Sequence, residues 1–119
     1  MIPDEKFGKQ ERILRPADFR AVYKNGRSSR KNSLVLCYLP NKTGHSRIGF
    51  SISSKNVKRA VGRNRIRRAL REIYRRNKGA FKQGVDMVVV VKKEFGKNDS
   101  YKTIEHIFLE LAKGAGILR

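Results

Sequence analysis

Three segments of the chain have patterns of apolar and polar residues that are typical of β-strands. The first two segments are residues 34–39 and 47–53, and the turn-rich spacer between them, with Pro40 and Gly44, favours a hairpin loop. The second strand has one apolar face, formed by Ile48, Phe50 and Ile52. Residues 85–93 contain an unbroken run of valines, which predicts a central strand buried on both faces.

Two amphipathic segments predict helices at either end of this series of strands. Residues 16–25 begin with a proline, and Gly26 is expected to close this helix in a left-handed conformation. The residues that share one face of the helix are Phe19, Val22 and Tyr23. Asp99 or Ser100 is the expected N-cap of a last helix that ends at Gly114. The packing face of the last helix is formed by Tyr101, Ile104, Ile107, Phe108 and Leu111.

A further helix is predicted between the second and third strands. Ser54 or Asn56 is its expected N-cap, and Gly79 is its expected C-cap. Apolar residues recur at the helical spacing and form a narrow stripe of Ile66, Ala69, Leu70 and Ile73. The residues at the edges of this stripe are Ala60, Val61 and Tyr74. One side of the helix is therefore expected to pack while the rest is solvated.

The elements follow the order helix, two or three strands, helix, strand, helix. This order predicts an α+β fold, a two-layer α-β sandwich in which the helices pack against one face of the sheet. A chain of 119 residues has the length of one domain. We expect a single domain, 1–119, with residues 1–10 as a mobile N-terminal segment.

The charge of the chain indicates a polyanionic partner. There are 29 Lys and Arg residues against 10 Asp and Glu, which gives a net charge of +19 and a pI near 10.9. Residues 57–78, which we call the arginine helix, contain eight arginines, two lysines and one acid, Glu72. Like charges at fourth-residue spacing repel by about 0.2 to 0.5 kcal/mol per pair. A helix that accepts this repulsion favours nucleic acid as its partner.

Arginine recurs at every fourth residue of the arginine helix, at Arg59, Arg63, Arg67, Arg71 and Arg75. Each step of such a ladder drifts by about 40° around the helix axis, so the ladder winds too far to form one docking face. Residues 63–68 form a more compact patch. We expect recognition to depend on this patch, with the remaining arginines as electrostatic support.

The sequence indicates a binding protein that lacks catalytic groups of its own. Apart from Asp4 and Glu5 near the N-terminus the acids are scattered, and no metal-binding spacing or Gly-rich phosphate loop is present. Cys37 lies between apolar neighbours and is expected to be a small, buried or half-buried side chain. No segment has the apolar length of a membrane span or a signal peptide, so we expect a cytoplasmic location and no membrane partner.

One segment, RIGFSISSKNVKRAVGRNRIRRALRE, carries an Arg-Asn-Arg motif at residues 63–65. With RILRPADFRAVYKNG before it and VDMVVVVKK after it, the chain closely resembles the bacterial ribonuclease P protein subunit over nearly its whole length. The resemblance implies an accessory subunit whose catalytic RNA removes the 5′ leader of precursor tRNA, using magnesium held mainly by the RNA. It also implies a ribosomal-protein-like fold with a left-handed βαβ crossover through the arginine helix, although handedness rules alone favour the opposite hand.

The resemblance implies a first RNA-binding surface on the arginine helix. The residues expected to approach the catalytic RNA are Arg63, Asn64, Arg65, Arg67 and Arg68, supported by Arg59 and Arg71. An arginine fork suits phosphate oxygens, and Asn64 can both donate and accept, which would also suit a magnesium-mediated contact. No firm metal site in the chain itself is expected. The alternative to this binding surface is a solvated charged face, in which the presence of Asn64 is incidental.

The second implied surface is a cleft between the first helix and the sheet that receives the single-stranded leader. Phe19 and Tyr23 match its aromatic positions, where bases stack, although without the resemblance these two residues would be interpreted as ordinary core. Cys37 falls where related proteins can carry a tyrosine, and Tyr38 is expected to point to the opposite face. The other residues expected to contact the leader are Ser51, Ser53 and Lys55.

The main alternative is a general RNA-binding protein, such as a ribosomal protein, because the charge and the fold suit it equally well. A DNA-binding regulator would need a helix-turn-helix or a dimer seam. A binder of anionic membranes would need bulky apolar residues on an exposed helix face. The sequence indicates neither, and no protein partner is inferred. The expected partners are the catalytic RNA and precursor tRNA.

Overall fold

The computed structural model describes residues 15–93 and 101–118, which form a mixed α+β fold. The helices are α1 Pro16–Asn25, α2 Ala60–Asn77 and α3 Tyr101–Gly114, and a 3₁₀ turn, Lys78–Ala80, follows α2. The strands are β1 Arg27–Lys31, β2 Leu34–Pro40, β3 Arg47–Ser51 and β4 Val85–Val91. They form one sheet in the order β1-β2-β4-β3, which confirms the predicted class of fold. The predicted mobile segment 1–10 and the predicted N-caps Asp99 and Ser100 lie outside the described residues.

Strand β4 is the central element of the sheet. It pairs antiparallel with β2 along its whole length and parallel with β3. Its residues are buried or half-buried throughout, on both faces. The prediction of a central strand is therefore confirmed, although β4 ends at Val91 rather than at residue 93.

The predicted hairpin between residues 34–39 and 47–53 is wrong, because β4 lies between β2 and β3. The hairpin is formed by β1 and β2, and its turn places Asn32 at φ 54°, a left-handed conformation that asparagine tolerates. The sequence of β1, RSSRK, has no apolar alternation that would predict a strand. Residues 41–46 pass instead across the start of β4, where the Asn41 N–H donates to the Gly84 carbonyl at 2.7 Å.

Helices cover both faces of the sheet, so the expectation that they pack against one face is wrong for α1. Helices α2 and α3 cover the face that bears Leu34, Leu36 and Met87. On the opposite face, Val22 of α1 is buried against Val88. A strand that is apolar on both faces needs cover on both, and α1 supplies the second.

Strands β3 and β4 are parallel neighbours connected through α2, so the three elements form a βαβ unit. The crossover therefore runs through the arginine helix, as the resemblance implies. Its left hand stays a prediction.

The apolar stripe of α2 packs as predicted, except at its edge, where Ala60 and Val61 are both exposed. Ile66, Leu70 and Ile73 are buried, and Tyr74 is buried with them. Val61, in contrast, is 78% exposed and belongs to the solvated face of the helix.

The predicted caps of the arginine helix are wrong. Helix α2 begins directly after Arg59, and not after Ser54 or Asn56, and its last turn passes into the 3₁₀ turn that contains Gly79. Asn56 has another partner, because its Nδ2 donates to the Val91 carbonyl at 3.0 Å. This bond attaches the turn before α2 to the end of β4.

A partly buried ion pair connects β3, β4 and α1. Arg47 donates from Nε and Nη2 to the two carboxylate oxygens of Asp86, at 2.9 and 2.6 Å, and this hydrogen bonding raises the pKa of Arg47. Asn41 Nδ2 donates to the same carboxylate at 2.7 Å. Arg47 Nη2 also lies 3.6 Å from a carboxylate oxygen of Asp18 on α1. The pair therefore helps to hold α1 against the sheet.

Gly26 is extended, with φ −86° and ψ 177°, so the predicted left-handed conformation is wrong. The glycine serves a close approach instead. A Cβ at this position would lie 2.5 Å from the carbonyl oxygens of both Val22 and Tyr38. The missing side chain lets α1 lead into β1 while its end lies directly against β2.

Gly26→Ala is expected to lower the free energy of unfolding by about 1 to 3 kcal/mol, because the new Cβ would overlap two backbone oxygens. Gly114→Ala is the matched control, since a Cβ there meets nothing within 4 Å and alanine favours a helix by up to about 1 kcal/mol. Urea denaturation measures both. An equal loss of stability in the two variants would contradict this role of Gly26.

Candidate nucleic-acid interface

An open cleft lies between α1 and the face of the sheet that α1 covers. It has a volume of about 370 Å³. The residues that line it are Tyr23, Val35, Cys37, Ser51, Ser53, Asn56, Val90 and Lys92. The structure therefore brings together, on one concave surface, Tyr23, Cys37, Ser51 and Ser53 of the predicted leader-binding set.

The register of the strands explains why these residues meet. Val35 pairs with Val90 and Cys37 pairs with Val88, so these side chains of β2 and β4 lie on the same face. Ser51, the last residue of β3, is the partner of Val90 on its other side. The floor of the cleft is thus formed by three adjacent strands.

Sequence reasoning missed four residues of the cleft. They are Val35, Asn56, Val90 and Lys92. Alternation along β2 places Val35 on the same face as Cys37, and this signal was available in the sequence. The faces of the continuous valines in β4 follow only from its pairing with β2.

The two aromatic residues of α1 differ in their exposure. Tyr23 is 47% exposed and lines the cleft. Phe19 is half-buried against Val22 and Val88, with its ring centroid 6.4 Å from that of Tyr23. Tyr23 therefore presents an aromatic surface to the cleft, and Phe19 packs against the sheet beside it.

The positive charge of the cleft comes from Lys92, which follows β4. Lys55 is exposed in the turn between β3 and α2 and does not line the cleft. Of these two lysines, Lys92 is therefore the one placed to contact a ligand inside the cleft.

Cys37 is half-buried in the floor of the cleft, as its apolar neighbours predict. Burial raises the pKa of the Cys37 thiol, and the charge of Lys92 partly offsets this shift. The thiol is therefore neutral at pH 7 and contributes a small apolar contact. Tyr38 packs against the cluster on the other face of the sheet, as expected.

The solvated face of α2 carries most of the patch of residues 63–68, which we call the Arg-Asn-Arg patch. Asn64, Arg65 and Arg68 are exposed, as is Arg59 at the N-cap. Arg67 is half-buried and donates from Nη1 to the Asn64 Oδ1 at 3.2 Å. This bond occupies one of the two acceptor positions of the Asn64 amide oxygen and does not involve the amide N–H groups.

Arg63 differs from the other members of the patch, because its guanidinium turns back over the segment before α2. Its Nη1 donates to the carbonyls of Val57 and Lys58, at 2.9 and 3.0 Å. These bonds stabilise the entry into the helix, which has no side-chain cap. The structure thus gives Arg63 a role in the fold beside its predicted role in binding.

Arg71 lies further along α2 and lines a second cleft, of about 350 Å³. The residues that line this second cleft are Arg68, Arg71, Glu72 and Arg75. The predicted surface on the arginine helix therefore has two parts, the Arg-Asn-Arg patch and this second cleft, with Arg68 shared between them.

Residues 15–93 and 101–118 contain no group of three or more His, Cys, Asp or Glu side chains that could hold a metal ion. The amide oxygen of Asn64 accepts a hydrogen bond from the Arg67 guanidinium, and other arginines are its neighbours on the helix. Because magnesium is coordinated by oxygen ligands, this cationic surrounding is a poor site for direct coordination of the ion. In the same part of the chain, no helix has the length and apolarity to cross a membrane.

Proteins of similar sequence are ribonuclease P proteins. A family model described as Ribonuclease P matches residues 7–115. The chain is 37% identical over 112 residues to the ribonuclease P protein component of Clostridioides difficile, which covers 93% of this chain and 96% of that relative. It is 35% identical over 113 residues to the corresponding protein of Thermotoga maritima, which covers 92% and 95% of the two chains.

Solved structures of similar fold belong to the same group. The RNase P protein of Staphylococcus aureus matches with a TM-score of 0.82 and 31% identity, over 92% of this chain and 98% of that chain. The RNase P protein of Thermotoga maritima matches with a TM-score of 0.76 and 31% identity, over 87% and 96% of the two chains. The fold described above, in which three helices pack on a four-stranded sheet, therefore also occurs in solved structures.

Arg63→Ala is expected to lower the free energy of unfolding by about 1 to 2 kcal/mol, because two backbone carbonyls lose a charged donor. Arg68→Ala is the matched control on the same helix, since Arg68 is exposed and its loss should change stability by less than about 0.5 kcal/mol. Urea denaturation of both variants measures the difference. Equal stabilities would show that the bonds of Arg63 do not support the helix entry.

Proposed function

Because the chain belongs to the family of ribonuclease P proteins, we propose that it is the protein subunit of a ribonucleoprotein endonuclease. In this role it assists a catalytic RNA in removing the 5′ leader from precursor tRNA. It binds the single-stranded leader in the cleft beside α1 and binds the catalytic RNA through α2. Both contacts increase the affinity for substrate and stabilise the binding of magnesium.

The observation that supports this proposal best is the composition of the cleft beside α1. An exposed aromatic ring, two serine hydroxyls and a lysine line one open concave surface. Single-stranded RNA is held in this way, with bases stacked on aromatic rings and phosphates beside cations and hydroxyl donors. Tyr23 would stack on a leader base, while Ser51, Ser53 and Lys92 would contact the backbone.

The exposed arginines of α2 support the second contact. A guanidinium binds two phosphate oxygens at once, and its charge is retained at every physiological pH. Arg65, Arg67 and Arg68 would bind phosphates of the catalytic RNA. Asn64, whose oxygen is used by Arg67, would donate its N–H groups to the same RNA.

The cleavage chemistry in this proposal belongs to the RNA. Magnesium supplies the activation of water and the neutralisation of charge in phosphodiester hydrolysis, and the catalytic RNA holds most of it. Because the groups around Asn64 are poor ligands for magnesium, this chain would act on the ion indirectly. Its arginines would neutralise the backbone of the RNA that holds the ion. A cytoplasmic location is the setting we propose for this reaction.

Adding the protein to a ribonuclease P RNA at low magnesium is expected to increase cleavage of precursor tRNA. The physical reason is that arginine charges replace part of the magnesium needed to neutralise RNA phosphates. The rate of leader release measures the effect. A variant with Arg65, Arg67 and Arg68 replaced by alanine is the matched control and should stimulate far less. Tight RNA binding by the wild type without stimulation would favour a general RNA-binding protein.

Tyr23→Ala is expected to weaken the binding of precursor tRNA by the assembled ribonucleoprotein about 5-fold to 150-fold, since one base stack contributes about 1 to 3 kcal/mol. Binding of mature tRNA should not change, because it has no leader. Tyr23→Phe keeps the ring and is the control. Equal weakening of precursor and mature tRNA would place the leader elsewhere.

A further inference from the structure

An acidic residue lies at the start of the helix that borders the cleft beside α1. Asp18 belongs to the first turn of α1, and one of its carboxylate oxygens lies 3.6 Å from Arg47 Nη2 on β3. Asp18 does not line the cleft. A negative charge near the proposed RNA-binding surface opposes the approach of RNA. Asp18 therefore has a role other than contact with the RNA.

The partner of Asp18 is held in place by β4. Arg47 donates from Nε and Nη2 to both carboxylate oxygens of Asp86, at 2.9 and 2.6 Å. Asn41 donates to the same carboxylate at 2.7 Å. Because β3 is an edge strand, Arg47 is a fixed cation at the edge of the sheet. The first turn of α1 is attached to this cation through Asp18.

The other attachments of α1 to the sheet lie further along the helix. Val22 is its one buried residue and packs on Val88. Gly26 lets the end of the helix lie directly against Tyr38. Within residues 15–93 and 101–118, no other side chain of α1 forms an ion pair or hydrogen bond with the sheet. Asp18 is therefore the polar attachment of the first turn, whereas close packing holds the last turn.

Asp18 is connected to the aromatic surface of the cleft through its neighbour on the helix. Phe19 follows Asp18 directly and is half-buried against the sheet. Its ring centroid lies 6.4 Å from that of Tyr23, which lines the cleft. Asp18 and Tyr23 are about one and a half helical turns apart. A tilt of the first turn of α1 would therefore move the Tyr23 ring relative to the floor of the cleft.

The ion pair between Asp18 and Arg47 is better explained by geometry than by stability. The side chains of Arg47 and Asp18 keep 20% and 21% of their accessible surface, and partly exposed pairs contribute little to folding. Arg47 is also paired with Asp86 already. A contact between two elements can, however, select one orientation of a helix, and a binding surface depends on such supporting contacts.

We propose that Asp18 is a positioning residue for the binding of the single-stranded leader. Its ion pair with Arg47 sets the tilt of α1 over the sheet and, through Phe19, holds Tyr23 where a base can stack on its ring. The proposal rests on the proposed function, because its ligand is the leader in the cleft beside α1. A cleft that is formed before the RNA arrives loses less conformational freedom on binding.

A simple field effect and positioning by Asp18 predict opposite results when the acid is removed. Asp18→Ala raises the net charge by one, which by itself should strengthen the binding of any RNA. If Asp18 positions α1, the same change weakens the binding of RNA that has a leader. The sign of the change, and its restriction to RNA with a leader, therefore distinguish the two.

The test measures the dissociation constants of precursor and mature tRNA for the assembled ribonucleoprotein. The protein is the wild type, Asp18→Ala, Tyr23→Ala or the double variant. Asp18→Ala is expected to weaken precursor binding about 3-fold to 10-fold, because part of the base stacking is lost, and to leave mature tRNA unchanged. It should have little further effect once the Tyr23 ring is absent. Asp18→Glu keeps the carboxylate and should restore most of the affinity.

Three outcomes would overturn the proposal. They are equal or tighter binding of precursor tRNA by Asp18→Ala, an equal loss for precursor and mature tRNA, and an undiminished loss in the Tyr23→Ala background. Asp18→Asn removes the charge and keeps the size of the side chain. It should also weaken precursor binding, at a melting temperature close to that of the wild type, so that the result does not depend on the folding of one variant.

A matched control and the wild type keep the remaining outcomes separate. Glu110→Ala removes an exposed acid from α3 with the same change in charge, and should leave precursor binding unchanged or slightly tighter. If the wild type binds precursor and mature tRNA equally, both this proposal and the leader-binding part of the proposed function fail. If the wild type prefers precursor tRNA and Asp18→Ala keeps that preference in full, only the positioning role fails.

Discussion

The burial of β4 on both faces is the constraint on which the rest of the structure depends. A strand of continuous valines is stable only when both faces of the sheet are covered. Helices α2 and α3 cover most of one face, and the shorter α1 covers part of the other. Val88 is fully buried beneath Val22, whereas Val90 and Val35 remain half-buried beyond the helix. The cleft is thus the part of the second face that α1 leaves open.

Two acids stabilise the junction between α1 and the sheet in this strongly basic chain. Asp86 is buried and is paired with Arg47, and Asp18 on α1 lies near the same guanidinium. Leaving either charge of such a pair unmatched would cost several kcal/mol. Glu72 is paired on the surface of α2. Arg65 and Arg68 of α2 are exposed to solvent, where repulsion between like charges is weakest and a polyanion can reach them.

The sequence predicted the elements whose pattern is local and missed the features that depend on pairing. The recurring stripe of Ile66, Leu70 and Ile73 predicted α2, because burial of one helix face leaves apolar residues at the helical spacing. The continuous valines of β4 predicted the central strand, because burial of both faces leaves an unbroken apolar run. The place of β1 could not be predicted from RSSRK, since a basic edge strand has no such period. The position of Val90 in the cleft follows from the register of β2 and β4, and the position of α1 on the second face follows from the packing of Val22 on Val88.

The same difference applies to the candidate surfaces: the sequence shows the motif, whereas the contacts that its residues make depend on the fold. The Arg-Asn-Arg motif predicted which helix carries the charge, but the bonds of Arg63 to the carbonyls of residues 57 and 58 require the folded turn. Asn56 lines the cleft and is bonded to Val91, so the short segment between Asn56 and Arg63 belongs to both surfaces. Hydrogen bonds from the side chains of Asn56 and Arg63 to backbone carbonyls fix this segment. The entry into α2 therefore sets the position of the cleft relative to the arginine helix. At this entry Arg63, an arginine of the motif, stabilises the fold.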